Sequence, residues 1–434
     1  MLRRDLLLLI CIACGKSGGA GGGGASRDAP AVVVVDKGGA GGVTLVPEKE
    51  PNEDSATAQA VTAPGGVEGA IDEDKDKDWF AVQVTQPSVV AIRVSGAADA
   101  DLIVDVLDGS SKKLMTSDNG PAGTIEGAPN LSVQPGTIRV VVREFVKKVK
   151  PPKPPRAAPS QPYELTVQLL PAPVAGEEVE VNDEVALANE LPMGGTVTGF
   201  VGWKKDRDVW KVPLDKAGAD DALSIDVDGV PEVPLRVAML DRNEAVLLER
   251  QGRAGEPVAL RNVAVKQGEP HGFVTVTAAK GNTDQRYTLR VSSAPFELDE
   301  ESEPNDRPAQ ASPLADVPNA DSGIRVGFLG RGDVDVFKLE PGPNPRSLKV
   351  SVEPPADLDV TVAVVDESGG ALAPAVDAQK RGKPETLTHA VPGGKAAFVK
   401  VSAKTGASDT DRYRLRWSAP AAEEPAPPVP GINE

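Results

Sequence analysis

Three aspartates stand where a folded chain can least easily hold them. Asp78, Asp208 and Asp335 each open a short strand with apolar residues at every second position. Phe80, Val82 and Val84 follow the first, Trp210, Val212 and Leu214 the second, and Phe337 and Leu339 the third. A period of two puts each carboxylate on the face that carries the aromatic core residue. A charge there is costly unless it is partnered. Each aspartate follows, 26 to 30 residues on, an acidic lead-in: Glu50-Pro51-Asn52, Glu180-Val181-Asn182 and Glu303-Pro304-Asn305. Two arrangements would satisfy it. Backbone N–H groups of the lead-in would donate to the carboxylate and pin the segment to the strand. Alternatively a Ca²⁺ would sit between them, because hard cations take roughly six to eight oxygen ligands. Glu50, Asn52, Asp76 and Asp78 form one such donor set, and Glu303, Asn305, Asp333 and Asp335 another. Glu180, Asn182, Asp206 and Asp208 form a third, with Val181 in place of proline, so the cation is expected in the first and third sets before the second. Spacing alone does not choose between the two arrangements.

The other reactive side chains point to less. His271 and His389 have no neighbouring Cys or His, so neither a zinc site nor a His-based triad is indicated. No GxSxG, HExxH or phosphate-loop pattern occurs. The acidic run from Asp72 to Asp78 reads as a solvated turn, because it lacks the glycine and the final glutamate of an EF-hand loop. Arg331-Gly332-Asp333 spells an adhesion tripeptide, but its aspartate is the repeat counterpart of Asp76 and Asp206. The two cysteines, Cys11 and Cys14, lie at the N-terminus, which leaves the rest of the chain without disulfides.

These residues are positioned by a unit that occurs three times at a period of roughly 125 residues. Later strands repeat as well: Leu102, Val104 and Val106; Leu235, Val237 and Met239; Leu358, Val360, Val362 and Val364. A closing strand repeats as Tyr163-x-Leu165, Tyr287-x-Leu289 and Tyr413-x-Leu415. The 40 prolines and 44 glycines supply turns and disfavour long helices. The expected fold is all-β: three tandem jelly-roll-like antiparallel β-sandwiches over 48–171, 177–293 and 301–418. A flexible Gly-rich tether (15–47) precedes them and a Pro/Ala/Glu-rich tail (419–434) follows. The first unit carries an insertion of about ten residues, within Lys147 to Pro162. It reads as a stiff, proline-set arm bearing Lys147, Lys148, Lys150, Lys153 and Arg156, either a site for anionic polymers or a tolerated loop tip. No aromatic interleaves it, and the formal charge of −17 argues against nucleic acid as a partner.

The acidic lead-in, the glycine before the aromatic strand (Gly69, Gly199, Gly327), the Asp-aromatic strand, Asp357-Leu358-Asp359 and the Tyr-x-Leu strand together resemble the bacterial pre-peptidase C-terminal (PPC) domain. The Asp-Leu-Asp element is partial at Asp101-Leu102-Ile103 and lost at Pro234-Leu235-Arg236. The resemblance covers about residues 48–418. It implies a jelly-roll-like sandwich of a kind that accompanies secreted proteases or stands in surface proteins, where some members bind calcium, collagen-like or polysaccharide ligands.

Arg3 and Arg4 precede an apolar run from Leu6 to Ala13, as in a secretory signal and too short to span a bilayer. Its end, Cys11-Ile12-Ala13-Cys14-Gly15, resembles a bacterial lipobox with Cys14 as the lipidated residue. Cys11 stands where leucine is usual, and an ordinary cleaved signal or an uncleaved anchor is the alternative. Together these features lead us to expect a lipid-anchored protein of the cell envelope, at the outer membrane or its periplasmic face. Its sandwiches would be non-catalytic binding or spacer modules, with a polysaccharide or another envelope protein as partner. An accessory subunit of a separate secreted hydrolase is the alternative, and an unrecognised enzyme a third reading.

Overall fold

The computed structural model describes residues 43–421 except 74, 146–157, 219–220, 266–267, 316 and 318–319. The expected lipidation residue Cys14, most of the tether and all five cations of the arm lie outside the described residues.

The chain is all-β, with six sheets that pair face to face. In the first sandwich one sheet orders the strands 45–47, 65–69, 163–170, 88–96 and 126–133. The facing sheet orders 59–61, 77–84, 136–144, 102–107 and 113–117. The same order recurs twice. It runs 196–199, 287–295, 221–227, 258–264 against 189–190, 207–213, 271–278, 235–240, 246–251, and then 322–329, 408–418, 346–353, 385–391 against 312–313, 334–339, 397–405, 359–365. Neighbours are antiparallel except for the short edge strands, such as Gln59–Val61 beside Phe80–Val82.

The alternation read from the sequence is the one observed. In Lys77–Val84, Asp78, Phe80, Val82 and Val84 are buried while Lys77 and Gln83 are exposed. Phe80, Val82 and Val140 of one sheet share a core with Val90, Ile92 and Leu165 of the other. Burying such a side chain is worth about 1.5–3 kcal/mol. A one-residue slip would bury Lys77 and expose Phe80, so the pattern fixes the register. Equivalent cores form around Trp210 and Tyr287, and around Phe337 and Tyr413.

Three details go beyond the sequence reading. Leu45–Pro47, at the end of the expected tether, already pairs with Gly66–Glu68. The arm is shorter than its proline content suggests, because its C-terminal side is fastened to the body. Ser160 donates its backbone N–H to the Ile71 carbonyl (2.9 Å), and its Oγ accepts from the Ile71 N–H (3.0 Å). The glycine before each aromatic strand has a steric reason. A Cβ at Gly199 would stand 2.5 Å from the Tyr287 hydroxyl and 2.9 Å from Glu178 Oε1. Gly199→Ala is therefore expected to cost about 1–3 kcal/mol by overpacking, read from denaturant unfolding. An unchanged midpoint would mean that Tyr287 moves aside freely.

Candidate functional site

Each sandwich gathers the same side chains at one end. The lead-in contributes two glutamates and an asparagine (Glu48, Glu50, Asn52; Glu178, Glu180, Asn182; Glu301, Glu303, Asn305). The aromatic strand and the turn before it contribute two aspartates, and the closing strand a tyrosine. Local hydrogen bonds shape the lead-in. In the first sandwich the Asn52 N–H donates to Glu50 Oε2 (2.9 Å) and Asn52 Nδ2 to Glu48 Oε1 (2.8 Å). The second repeats this from Asn182 to Glu180 and Glu178 (both 3.1 Å), and the third from Asn305 to Glu303 (2.6 Å) and Glu301 (3.5 Å). Val181 thus leaves the pattern unchanged. Backbone N–H groups at the start of the next turn hold the first glutamate: Ala70 to Glu48 (3.0 Å), Phe200 to Glu178 (2.8 Å) and Phe328 to Glu301 (2.7 Å).

The buried aspartate finds a different partner from the lead-in N–H groups expected of it. The Tyr163 hydroxyl donates to Asp78, and the Tyr413 hydroxyl donates to Asp335. Asp and Tyr occupy core-facing positions on opposing sheets, so their tips meet inside the sandwich. In the second sandwich Trp210 replaces phenylalanine, and its Nε1–H donates to the Tyr287 hydroxyl at 2.8 Å. Burial pushes the Asp78 carboxyl up to about 9, and Glu48 beside it adds to the rise.

The three sites differ in what balances their charge. In the third, an arginine from the second sandwich enters the cluster. Arg250 donates to Glu303 Oε1 (2.9 Å) and to Asp333, and Asp306 lies 3.6 Å away. Burial opposes the guanidinium charge, but Asp333 and Glu303 outweigh it and raise the Arg250 pKa. Burial pushes Glu303 up to about 9, with Asp333 adding to the rise and Arg250 opposing it. The expected third donor set of Glu303, Asn305, Asp333 and Asp335 is therefore brought together, but two of its carboxylates already hold a cation.

The second site has no such partner. Glu178, Glu180, Asp206 and Asp208 are all buried, and burial raises the pKa of each. Carboxylate oxygens of Glu178, Glu180 and Asp208 lie within 4.8 Å of one another. Glu180 Oε1, Asp206 Oδ1 and both oxygens of Asp208 are buried without a hydrogen-bond partner. Orphaned oxygens at this density fit a hard cation better than a proton-sharing core does. In the first site Glu50 is exposed, Asp76 accepts from the Asp72 N–H (2.7 Å), and Glu48, Glu50 and Asp78 form the close group.

The second and third sites also lie at joints. Asn130 of the first sandwich donates to Glu178 Oε2 (2.9 Å), and Trp203 of the second packs into the first core. Arg261 donates to the Asp409 carbonyl across the second joint (2.9 Å). A groove of about 740 Å³ opens there, lined by Asp226, Arg261, Pro355, Asp357 and Arg412 among others. Asp333 of the Arg-Gly-Asp tripeptide is buried against Arg250, and Arg331 faces Glu256 at 3.6 Å. Three site components escape the sequence reading. Glu48, Glu178 and Glu301 recur two residues before the second lead-in glutamate, and that recurrence was the available signal. The tyrosine hydroxyls were read only as core. Arg250 has no signal, because its counterpart in the first sandwich is Ser117.

No family model matches the sequence, and neither does any curated protein. Among solved structures the chain is similar to the pre-peptidase C-terminal domain of collagenase from Bacillus anthracis, at 15% identity over 28% of this chain and 100% of that one, with a TM-score of 0.21. It is also similar to the N-terminal CBM22-1–CBM22-2 tandem domain from Paenibacillus barcinonensis Xyn10C, at 12% identity over 49% of this chain and 83% of that one, with a TM-score of 0.16. Likeness at this level carries no argument about function.

Proposed function

We propose that the chain is a non-catalytic, lipid-anchored protein of the cell envelope whose three sandwiches form a jointed spacer that carries binding surfaces away from the membrane. The observation that supports this reading is the use of the acidic sites. At two joints their carboxylates take Asn130 and Arg250 from the preceding sandwich. Groups engaged in this way stiffen an array and are not free to act on a substrate. Cys14 is the proposed lipid attachment point. Cys14→Ala is expected to release the protein from the membrane fraction, and unchanged membrane association with an unmodified N-terminus would overturn the anchor. A secreted hydrolase that co-purifies stoichiometrically would move the reading to an accessory subunit.

Calcium belongs to the same proposal, with the order of sites revised. Glu178, Glu180, Asp206 and Asp208 would hold it first, then Glu48, Glu50 and Asp78. Where bound it would neutralise the joint and stiffen it. Binding to the native state alone raises stability by mass action, about 2.7 kcal/mol at a hundredfold excess over Kd. Millimolar Ca²⁺ is therefore expected to raise the melting temperature, and Glu180→Gln with Asp208→Asn to remove most of the gain. No shift in wild type would leave the second joint as a proton-sharing cluster. The cations of the arm, from Lys147 to Arg156, are proposed to bind anionic polysaccharide in a salt-sensitive way. A deletion testing this should span 149–157 and spare Ser160, which clasps Ile71.

A further inference from the structure

The two joints are built by one rule, and the chain carries an unused half of it at each end of the array. At the first joint the Ser132 N–H donates to the Glu180 carbonyl (2.8 Å), with Leu131 opposite Glu180. At the second the Ala264 N–H donates to the Glu303 carbonyl (2.9 Å) and the Glu303 N–H to the Asn262 carbonyl (2.8 Å), with Val263 opposite Glu303. In both, a lead-in adds itself to the outer edge of the last strand of the tyrosine-bearing sheet, 126–133 or 258–264. The third sandwich has the corresponding strand, Glu385–Val391. Its one strand partner among the described residues is Arg346–Glu353. It also lacks the bulge that interrupts the other two, which leaves a straight edge, a good template for backbone pairing. The first sandwich has the corresponding lead-in. Among the described residues the Glu50 backbone has no partner, and Glu50 is exposed, whereas Glu180 and Glu303 are buried.

Charge matches these two free halves. Gly255-Glu256-Pro257 leads into the second acceptor strand and Gly382-Lys383-Pro384 into the third, with both glycines at positive φ (+77° and +70°). Lys383 is therefore the counterpart of Glu256. The residue that Glu256 faces is Arg331, which follows the glycine whose N–H holds Asp333. In the first sandwich the Asp72 N–H holds Asp76, so Glu73 is the counterpart of Arg331. The Glu256–Arg331 pair of the internal joint thus reappears with reversed signs as Lys383 and Glu73, both exposed. Lys380 and Arg381 add positive charge beside the free edge, and Glu50 and Glu53 add negative charge to the lead-in. We infer that the Glu385–Val391 edge of one copy takes the Glu48–Asn52 lead-in of a second copy, so that molecules join head to tail through the contact that joins their own sandwiches.

A head-to-tail contact uses two different surfaces and does not close on itself at two copies, so it builds open chains. Sedimentation of the full chain at low salt, in a Cys14→Ser background that removes lipid, should show species that keep growing with concentration. Lys383→Glu and Glu73→Lys should each weaken association on the order of five- to tenfold, because each places like charges in contact. The double variant should recover wild-type association. Both residues are exposed, so folding is expected to be untouched, and circular dichroism checks it. A monomer at every concentration overturns the inference, as does a closed dimer indifferent to both charge reversals. If the full chain stays monomeric and a chain stopped after Ala421 associates, residues 422–434 cover the edge and the second copy is the wrong occupant.

Discussion

Arg250→Met is expected to destabilise the protein by about 3–5 kcal/mol, because it leaves buried carboxylates without their cation. Arg250 is 9% exposed at its side chain, and it bridges Glu303 and Asp333, exposed 3% and 7%. Methionine fills much of the arginine stem's volume, so the loss reports charge rather than a cavity. Denaturant unfolding at neutral pH is the measurement. Adding Glu303→Gln and Asp333→Asn to Arg250→Met should recover most of the loss, since the neutral set needs no cation. Under the calcium proposal, Arg250→Met alone should also acquire a Ca²⁺-dependent rise in stability that wild type lacks at this site. A midpoint within about 1 kcal/mol of wild type would mean that water reaches the two carboxylates and screens them.

The second large effect concerns pH and Glu126, a buried carboxyl at the edge of the first sandwich. It accepts from Ser117 Oγ (2.5 Å) and from the Asn119 N–H (2.8 Å), and Asn119 in turn accepts from the Lys204 N–H across the joint (3.0 Å). Burial pushes Glu126 up to about 7 from 4.5, against these hydrogen bonds. A carboxyl whose folded pKa is raised favours the folded state in its protonated form. Its contribution is fully present below about pH 4.5 and is lost as pH rises through 7. A shift of this size is worth roughly 3 kcal/mol. Wild type is therefore expected to lose stability between pH 5 and pH 8, and Glu126→Gln to remove roughly that much of the slope. Glu48 and Asp78 shift in the same direction, so the difference between wild type and variant is the quantity to read. Trp203, packed in the first core, is a fluorescent probe of the transition. Equal slopes in the two proteins would place the Glu126 carboxyl in contact with solvent.

What the sequence determined by itself is what strand geometry makes local. A period of two placed Asp78 beside Phe80 and Asp335 beside Phe337, and both pairs are buried side by side. The recurrence of lead-in, aromatic strand and Tyr-x-Leu strand marked the strands that form the six sheets. The glycine at 69, 199 and 327 was legible as a position, although its cause, a tyrosine ring from the opposing sheet, was not. Partners across the molecule could not be read in this way. Asp78 has many donors nearby in sequence, and which one reaches it depends on how two sheets stack. The stacking brings Tyr163, 85 residues away, and spends the lead-in N–H groups elsewhere. The lead-ins of the three sandwiches are close in sequence, yet one site is open, one is buried without a cation and one is filled by Arg250. Charge balance at a joint is set by the surface that docks there, and alternation within a strand carries no information about the neighbouring sandwich.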